Sequence, residues 1–301
     1  MMQATHPLPR YALVTPARNE AAEIERTIQC MTRQHHLPQK WVIVSDGSTD
    51  GTDEIVARYA AQYAWIQLVR MPERAERSFS GKVHAFNAGQ RELAHLPYEV
   101  IGNLDADISF EPDYFSFLMG KFRDNPRLGV GGTPFREGDK QYDYRFTSIE
   151  HVSGACQMFR RECFEQIGGY QPIKGGGIDW VAVTTARMRG WQTRSFTETF
   201  CHHNRPIGTA EHSVLAARFR QGGKDYALGG HPLFELFRAA YQATSRPYFL
   251  GGLCLLVGYV HAGLSRRARS VGPELLAFHR AEQLGRLKRF ARLQARGSAL
   301  S

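Results

Sequence analysis

The stretch VIGNLDADISFEP, at residues 100–112, passes from an apolar run of strand length into a pair of aspartates. Only Ala106 separates Asp105 from Asp107, and polar and proline residues end the run. Side chains two residues apart in a strand project from one face, so these carboxylates would repel each other unless a cation lies beside them. Because aspartate is also common where a strand gives way to a turn, this stretch alone leaves both interpretations open.

Apolar, β-branched runs of strand length recur through the first third of the chain and alternate with helix-length segments. The runs occupy residues 11–16, 41–46, 65–71 and 98–105. The segments between them, at residues 19–36, 50–64 and 81–96, carry apolar side chains at helical spacing or begin with capping residues. This alternation predicts an α/β fold with a mainly parallel sheet covered by helices.

Polar clusters follow three of these predicted strands: TPARNE at residues 15–20, SDGSTDGT at residues 45–52, and the two aspartates. Ligands of open α/β sheets bind outside the carboxyl ends of the strands, so we expect the three clusters to share one rim. The first cluster contains no glycine, and GVGGTP at residues 129–134 has Pro134 where a third glycine would stand. A dinucleotide-binding Rossmann domain is therefore excluded.

The composition is that of a globular chain with an excess of positive charge. The 301 residues are 43% hydrophobic, and 38 lysines and arginines against 29 acids give a net charge of +9, which favours an anionic partner. Five scattered cysteines without a C-x-x-C pair argue against a disulfide framework and a structural zinc site, and they fit a reducing cytosol. We see no signal peptide at the N-terminus.

Four segments in this order and spacing resemble the inverting family 2 glycosyltransferases of the GT-A fold: ALVTPARNEAAEIERTI, VIVSDGSTDGT, GKVHAFNAG and NLDADISFEP, over about residues 11–200. The resemblance implies a Rossmann-like, nucleotide-sugar-binding GT-A domain with a mainly parallel sheet at residues 1–205. A helical region at residues 206–301 would follow it.

The resemblance also implies roles for residues of the sheet rim. Asp46 would hydrogen-bond the nucleotide base. Apart from the resemblance, Lys82 at the start of its helix is a candidate for positioning phosphates, although a lone lysine there is usually only solvated. The D-x-D pair would bind Mn²⁺ or Mg²⁺, with Asp107 as the principal ligand and Asp105 on the ribose or a metal-bound water. His202 would be a further metal ligand, unless it is an ordinary loop histidine. The nucleoside pocket would be lined by Thr15, Pro16, Ala17 and Glu20.

Asp179 is the candidate catalytic base, which an inverting enzyme needs to take the proton of the acceptor hydroxyl. Relatives often show a Glu-Asp pair here, and this chain keeps Asp179, Arg187 and Gly190 but has Ile178 in the Glu position. The alternative is that Asp179 only caps a helix.

At residues 221–225, Gln221 is kept but Lys224 and Asp225 depart from the Q-x-x-R-W motif of processive relatives.

The C-terminal third contains a nearly uncharged segment, Pro247–Leu264, that is short for a membrane span and is followed at once by arginines. We expect an interfacial or re-entrant element. The tail that follows can form a basic amphipathic helix with Leu276, Leu284, Leu287 and Ala291 on its apolar face. The alternative for this tail is an ordinary helix packed on the domain. We therefore expect a cytoplasmic protein, peripheral on the inner face of the membrane and bound to anionic lipid.

These features predict a metal-dependent, inverting glycosyltransferase. We expect it to move a sugar from a nucleoside diphosphate sugar, with a UDP-sugar as the expected donor, to a carbohydrate or lipid-linked acceptor in surface or exopolysaccharide synthesis, with no role for nucleic acid. The alternatives are a sugar nucleotidyltransferase and a nucleotide-binding module without catalysis. The former would need a glycine-rich, basic loop after the first strand, where TPARNEAAE is acidic.

Overall fold

The computed structural model of the protein describes residues 7–73, 79–137, 148–173, 175–205, 214–244 and 246–298. They fall into two compact units, the first within Met1–Ile173 and Ile178–Ile207 and the second within Lys174–Gly177 and Gly208–Ser301. We call them the sheet unit and the helical unit. The predicted boundary between residues 205 and 206 borders residues 206–213, which lie outside the described residues, and it stays a prediction.

The sheet unit alternates strands and helices. Its strands are β1 (Tyr11–Ala17), β2 (Lys40–Asp46), β3 (Ile66–Met71), β4 (Val100–Leu104), β5 (Ile108–Ser109), β6 (Leu128–Gly132), β7 (Phe135–Arg136), β8 (Cys156–Arg160), β9 (Gln192–Ser195) and β10 (Cys201–His203). Its helices are α1 (Ile24–Thr32), α2 (Thr52–Gln62), α3 (Phe79–Leu93), α4 (Tyr114–Asp124), α5 (Arg161–Gln166) and α6 (Ile178–Met188). The four predicted strands are thus β1 to β4, and the three predicted helices are α1 to α3.

Seven strands form the main sheet in the order β3-β2-β1-β4-β8-β6-β9, and β5-β10-β7 form a small second sheet. Strands β1 to β4 pair in parallel, as predicted. Strand β8 runs antiparallel to β4 and β6, with Leu104 opposite Cys156. Because β8 runs the opposite way, the loop before it, and not the one after it, reaches the carboxyl end of β4.

Both faces of the main sheet are buried, which is why the predicted strands are continuous apolar runs. On one face, Leu13 and Trp41 pack with helices α1, α2 and α4, through residues such as Ile28 and Phe115. On the other face, Val14 and Val42 pack with residues of α3, α5 and α6. Among the described residues of the sheet, it is therefore the strand ends and the loops beyond them that a ligand can reach.

The helical unit consists of α7 (Val214–Ala227), α8 (Pro232–Gln242), α9 (Phe249–Leu264) and α10 (Pro273–Ser298). Helices α7 and α9 approach closely at glycines: a Cβ atom on Gly222 would lie 1.9 Å from the Leu255 carbonyl oxygen, and one on Gly258 would lie 2.0 Å from that of Phe219. A Cβ on Gly252 would lie 2.2 Å from the carbonyl oxygen of Ala239 in α8. Side chains larger than hydrogen would therefore force these helices apart.

No helix within the described ranges is long and apolar enough to cross a membrane. Helix α10 packs on its neighbours: Leu275 is buried, and the buried Gln283 accepts a hydrogen bond from the His231 backbone nitrogen at 2.6 Å. The residues predicted for a membrane-facing apolar side, Leu276, Leu284 and Leu287, are half-buried, while Ala291 is exposed. The structure thus favours the packed-helix alternative for the tail, because an amphipathic pattern serves either role.

Candidate active site

A pocket of about 450 Å³ opens at the carboxyl ends of β1, β2 and β4. It brings together the polar clusters that the sequence predicted to share one rim. The lining residues include Pro16, Ala17 and Glu20 after or within β1, Asp46 at the end of β2, Lys82 in α3, and Asp105 and Asp107 after β4. Arg18, Ala106 and Arg205 complete the lining.

Thr15 is the predicted pocket residue that the structure locates elsewhere. Its side chain is fully buried, and its hydroxyl oxygen accepts a hydrogen bond from the Trp41 indole nitrogen at 2.8 Å. Thr15 packs beside Trp41 within the sheet, whereas Pro16 and Ala17, nearer the carboxyl end of β1, line the pocket. Thr15 is thus not among the lining residues of the pocket, and its part in nucleoside binding stays a prediction.

Asp46 is held at the rim by a sharp turn. The residue after it, Gly47, has a φ of +67°, and a Cβ atom there would lie 2.6 Å from the Glu73 Cα atom. Both the left-handed backbone and the close approach require glycine. The turn keeps the buried Asp46 carboxylate at the pocket wall, where the sequence predicts contact with a nucleotide base.

Asp105 lies directly after β4 and is fixed by two neighbours. Its Oδ1 atom accepts hydrogen bonds from Lys82 Nζ at 2.6 Å and from Asn103 Nδ2 at 3.0 Å. Burial acts to lower the pKa of Lys82, but the charges of Asp105, Asp179 and Asp107 outweigh burial and raise it. The Lys82 side chain is 42% exposed, and its ion pair with Asp105 holds its charge beside the acids of the site.

Asp107 belongs to the turn between β4 and β5, so the aspartates do not share a strand face as the D-x-D spacing suggested. Its Oδ1 atom lies 3.6 Å from His203 Nε2. Burial and the charge of Asp105 raise the pKa of Asp107, while His203 and Arg205 oppose that rise. The repulsion expected from the sequence is therefore present, although Asp105 and Asp107 do not share a strand.

Strand β10 brings His203 and Arg205 to Asp107. The strand pairs antiparallel with β5, His203 opposite Ile108, and the Asn204 backbone nitrogen donates to the Asp107 carbonyl oxygen at 2.8 Å. Arg205 forms an ion pair with Glu20 across the pocket. Arg205 could not be recognised from the sequence, because its partner Glu20 lies far away along the chain.

His202, which the sequence predicts as a metal ligand, is exposed and makes an edge-to-face contact with Phe200 at a ring-centroid distance of 5.1 Å. Adjacent residues of the short strand β10 alternate in direction, so His203 faces Asp107 and His202 does not. The geometry therefore adds His203 as a candidate histidine of this site, and the metal-binding part of His202 stays a prediction.

Asp179 lies in the first turn of α6, beside the rim but outside the pocket lining. A Cβ atom on Gly154 would lie 3.1 Å from the Asp179 Cβ atom and 3.4 Å from Oδ2, so glycine alone leaves the carboxylate its space. The Gly154 carbonyl oxygen accepts a hydrogen bond from Asn103 Nδ2 at 2.6 Å, the same amide that binds Asp105. Asn103 thus links Asp105 to Gly154, the neighbour of Asp179. The sequence predicted only that Asn103 lies in the fourth strand, and not this role.

The acids of the pocket fit a divalent cation supplied together with a phosphate ligand. No group of three or more His, Cys, Asp or Glu side chains in metal-binding geometry occurs among the described residues. Mg²⁺ is commonly bound by one or two carboxylates plus substrate phosphates and waters, so a complete protein cage is not required. Burial, and after it the charge of Asp105, raise the pKa of Asp107, and a bound cation would oppose both effects.

Solved structures share this architecture. A mannosyltransferase from Pyrobaculum calidifontis in complex with GDP-Man and Mn²⁺ has a TM-score of 0.58 at 22% identity, covering 98% of this chain and 81% of that one. TarS of Staphylococcus aureus in complex with UDP-GlcNAc has a TM-score of 0.53 at 12% identity, covering 87% and 74%. These likenesses confirm the predicted fold, an α/β GT-A-like domain with a mostly parallel sheet and a helical C-terminal region.

The curated relatives that match this chain are about one-quarter identical to it. The poly-beta-1,6-N-acetyl-D-glucosamine synthase of Staphylococcus epidermidis is 26% identical over 136 residues, 45% of this chain and 31% of the relative. The probable glycosyltransferase YdaM of Bacillus subtilis is 24% identical over 209 residues, 64% and 45%. The chain thus spans less than half the length of these two relatives. Glycosyltransferase AglE of Haloferax volcanii is 24% identical over 243 residues, 72% and 73%.

The family model for glycosyl transferase family 2 matches residues 12–169, from β1 through α5. The match includes the strand ends and the D-x-D pair, and it covers more than half of the chain. It confirms the resemblance seen in the four sequence segments. The chain belongs to glycosyl transferase family 2.

Proposed function

We propose that this chain is an inverting glycosyltransferase that uses Mn²⁺ or Mg²⁺. Its donor would be a nucleoside diphosphate sugar, with a UDP-sugar as the first candidate, and its acceptor a carbohydrate or lipid-linked hydroxyl in surface or exopolysaccharide synthesis. The observation that carries the proposal is the convergence of Asp105, Asp107, Lys82 and Arg205 on one pocket of about 450 Å³ at the sheet rim. Cations and carboxylates together suit a metal-bound diphosphate.

In the proposed mechanism, Asp46 holds the nucleotide base, while Lys82 and Arg205 balance negative charge on the diphosphate. Asp107 and Asp105 are the residues that would hold the metal ion, with His203 beside them. When bound, the ion supplies neutralisation of charge on the departing nucleoside diphosphate. Lys82 already carries its charge beside Asp105, so it needs no proton transfer to act.

Asp179 is proposed as the base that accepts the proton of the attacking hydroxyl. It lies in the first turn of α6, on a rigid element beside the rim. The alternative of a helix cap is less favoured, since α6 begins at Ile178, one residue before Asp179. Substrate binding would bring the acceptor oxygen to the carboxylate.

The donor and metal are proposed in part from what similar proteins bind. The mannosyltransferase of P. calidifontis was solved with GDP-Man and Mn²⁺, and TarS with UDP-GlcNAc. Because these neighbours bind different nucleotides, the UDP preference stays a prediction. The proposal also includes attachment to the cytoplasmic face of a membrane carrying anionic lipid, on the basis of the apolar and basic C-terminal sequence.

A product assay distinguishes the proposal from its alternatives. The protein is offered a panel of UDP-, GDP- and dTDP-sugars with soluble carbohydrate acceptors, in Mn²⁺, in Mg²⁺ and in excess chelator. We expect metal-dependent release of a nucleoside diphosphate. Release of pyrophosphate from a nucleoside triphosphate and a sugar phosphate would indicate a nucleotidyltransferase, and metal-dependent nucleotide binding without any turnover would indicate a binding module.

A further inference from the structure

Helix α9 carries a row of large apolar side chains along one face. Each of these side chains is between 43% and 80% exposed, and no polar side chain lies within the row. We call this row the apolar stripe: Phe249, Leu250, Leu253, Val257, Val260 and Leu264. Successive residues of the stripe are one, three or four positions apart, which puts all six on one side of an α-helix. The opposite side, which includes Leu255, Gly258 and Tyr259, is buried within the helical unit.

Soluble surfaces rarely expose a continuous apolar strip of this kind without a partner. The stripe runs the length of a 16-residue helix, which is about 24 Å long. Its edge continues onto α7 through the half-exposed Phe219, whose ring lies 5.5 Å from that of His261. A partner therefore has an extended apolar surface available on this unit.

The charge of the chain indicates the class of partner. Residues 1–207 contain 24 lysines and arginines and 24 acids, whereas residues 208–301 contain 14 and 5, so the whole excess of +9 belongs to the C-terminal region. Exposed arginines stand at both ends of the stripe, Arg246 before it and Arg266 and Arg267 after it. An apolar face with cationic flanks is complementary to the surface of an anionic bilayer.

We propose that the apolar stripe of α9 is a lipid-docking face that lies in the headgroup boundary of an anionic membrane. This deepens the membrane attachment of the proposed function, on which it rests, by assigning it to α9 and not to the amphipathic tail helix α10. A helix of about 24 Å is shorter than the hydrocarbon core of about 30 Å, so α9 lies along the surface. The arginines would then meet the lipid phosphates.

The test is flotation of the full chain with vesicles of phosphatidylcholine alone or with phosphatidylglycerol. The double substitution Leu253→Gln and Val257→Gln leaves the net charge unchanged and removes two central side chains of the stripe. We expect its partition onto anionic vesicles to fall at least about tenfold. The matched control is Leu37→Gln, an equally exposed leucine of the sheet unit at 42%, which should float normally.

A second pair of variants tests the electrostatic part. Arg246→Gln with Arg266→Gln should weaken binding to anionic vesicles by about tenfold or more and reduce its salt dependence. Arg33→Gln with Arg91→Gln removes the same charge from exposed positions of the sheet unit and should matter less. Equal losses from both pairs would overturn a specific docking face and leave only general attraction.

The outcomes separate this proposal from the others. Normal flotation of the stripe variant overturns it, and if that variant also converts a dimer to a monomer in sedimentation, the occupant of the stripe is a second copy of the chain. Absence of flotation by the unsubstituted chain overturns it as well. Nucleoside diphosphate release is measured without vesicles, so failure of the transferase assay with normal flotation refutes the catalytic proposal alone.

Discussion

In the pocket of the sheet unit, each acid at the mouth keeps an exposed edge and a basic neighbour. The side chains of Asp105 and Asp107 are 24% and 13% exposed, beside Lys82 and His203. In the helical unit, Asp225 is likewise 13% exposed beside a basic residue, and the difference lies in Glu235. Asp225 accepts from Gln221 at 2.9 Å and from Arg238 at 2.5 Å, and the nearby Glu235 is only 2% exposed. One oxygen of Glu235 has no hydrogen-bond partner.

The difference teaches how to separate acids that serve a ligand from acids that serve the fold. A ligand can reach the carboxylates of the sheet rim, and their mutual repulsion is relieved when a cation arrives. No ligand reaches Glu235, whose charge would have to be suppressed within the helical unit itself. Substitutions should therefore affect activity in the first region and stability in the second.

The strongest challenge to this comparison is Asp107→Asn, which we expect to lower sugar transfer by about 10³-fold through loss of the metal ion. The thermal unfolding midpoint should stay constant or rise, because the repulsion from Asp105 disappears. Nucleoside diphosphate release and thermal unfolding measure the two effects. The exposed Asp124→Asn is the matched control. Full activity in excess chelator would contradict the assignment.

Asp179→Asn sharpens the comparison within the sheet unit, because it separates chemistry from binding. Turnover should fall by about 10²-fold or more with loss of the base, while donor affinity in titration calorimetry is retained. Asp113→Asn, just before α4, provides a control at a helix start that makes no side-chain capping bond. Near-normal turnover of the Asp179 variant would leave this residue a structural role only.

The Glu235→Gln substitution tests the helical unit through the pH dependence of its folding stability. Burial and the charge of Asp225 raise the pKa of Glu235 from 4.5 to about 8, although Arg238 opposes them. Protonation therefore favours the folded state; this stabilisation is complete below pH 4.5 and is lost as the pH rises toward 8.

We expect the Glu235→Gln variant to match the unsubstituted chain at low pH and to be more stable above pH 8, by at most about 5 kcal/mol. Chemical unfolding at several pH values measures this, with the exposed Glu274→Gln as control. A variant that is less stable at every pH would show that the Glu235 carboxyl group makes a favourable contact.

The smallest expected effect is that of Gly154→Ala. The new methyl group would press on Asp179, so turnover should fall about tenfold while donor affinity is unchanged. Gly120→Ala is the matched control, since a Cβ atom there meets no other atom within 4 Å. A loss of donor affinity larger than the loss of turnover would contradict a role through Asp179.

The sequence predicted the first four strands, the rim and most of the pocket, because apolar runs and polar strand ends are local signals. It could not decide which residue of a neighbouring pair faces the pocket. Thr15 and Pro16 lie on a strand buried on both faces, where no alternation of polar and apolar residues marks the side. His202 and His203 raise the same question in β10, where pairing with β5 decides the direction.

Other features depend on contacts between distant parts of the chain. Arg205 reaches Glu20 only because β10 pairs with β5, and Gly154 meets Asp179 only after folding. The tail helix shows a further limit: its amphipathic pattern is equally compatible with a membrane and with a protein surface. Burial of Leu275 and Gln283 distinguishes the two.

The reversed direction of β8 has an evolutionary consequence. Because β8 is reversed, the segment before it, residues 152–155, approaches the rim from the opposite end of a strand. There it meets the part of the pocket wall that is built by residues before position 110. On the proposed assignment, the nucleotide contacts come mainly from the earlier part of the chain and the acceptor side from the later part. Insertions or exchanges in the later segment can therefore diversify the acceptor while the donor contacts are inherited unchanged.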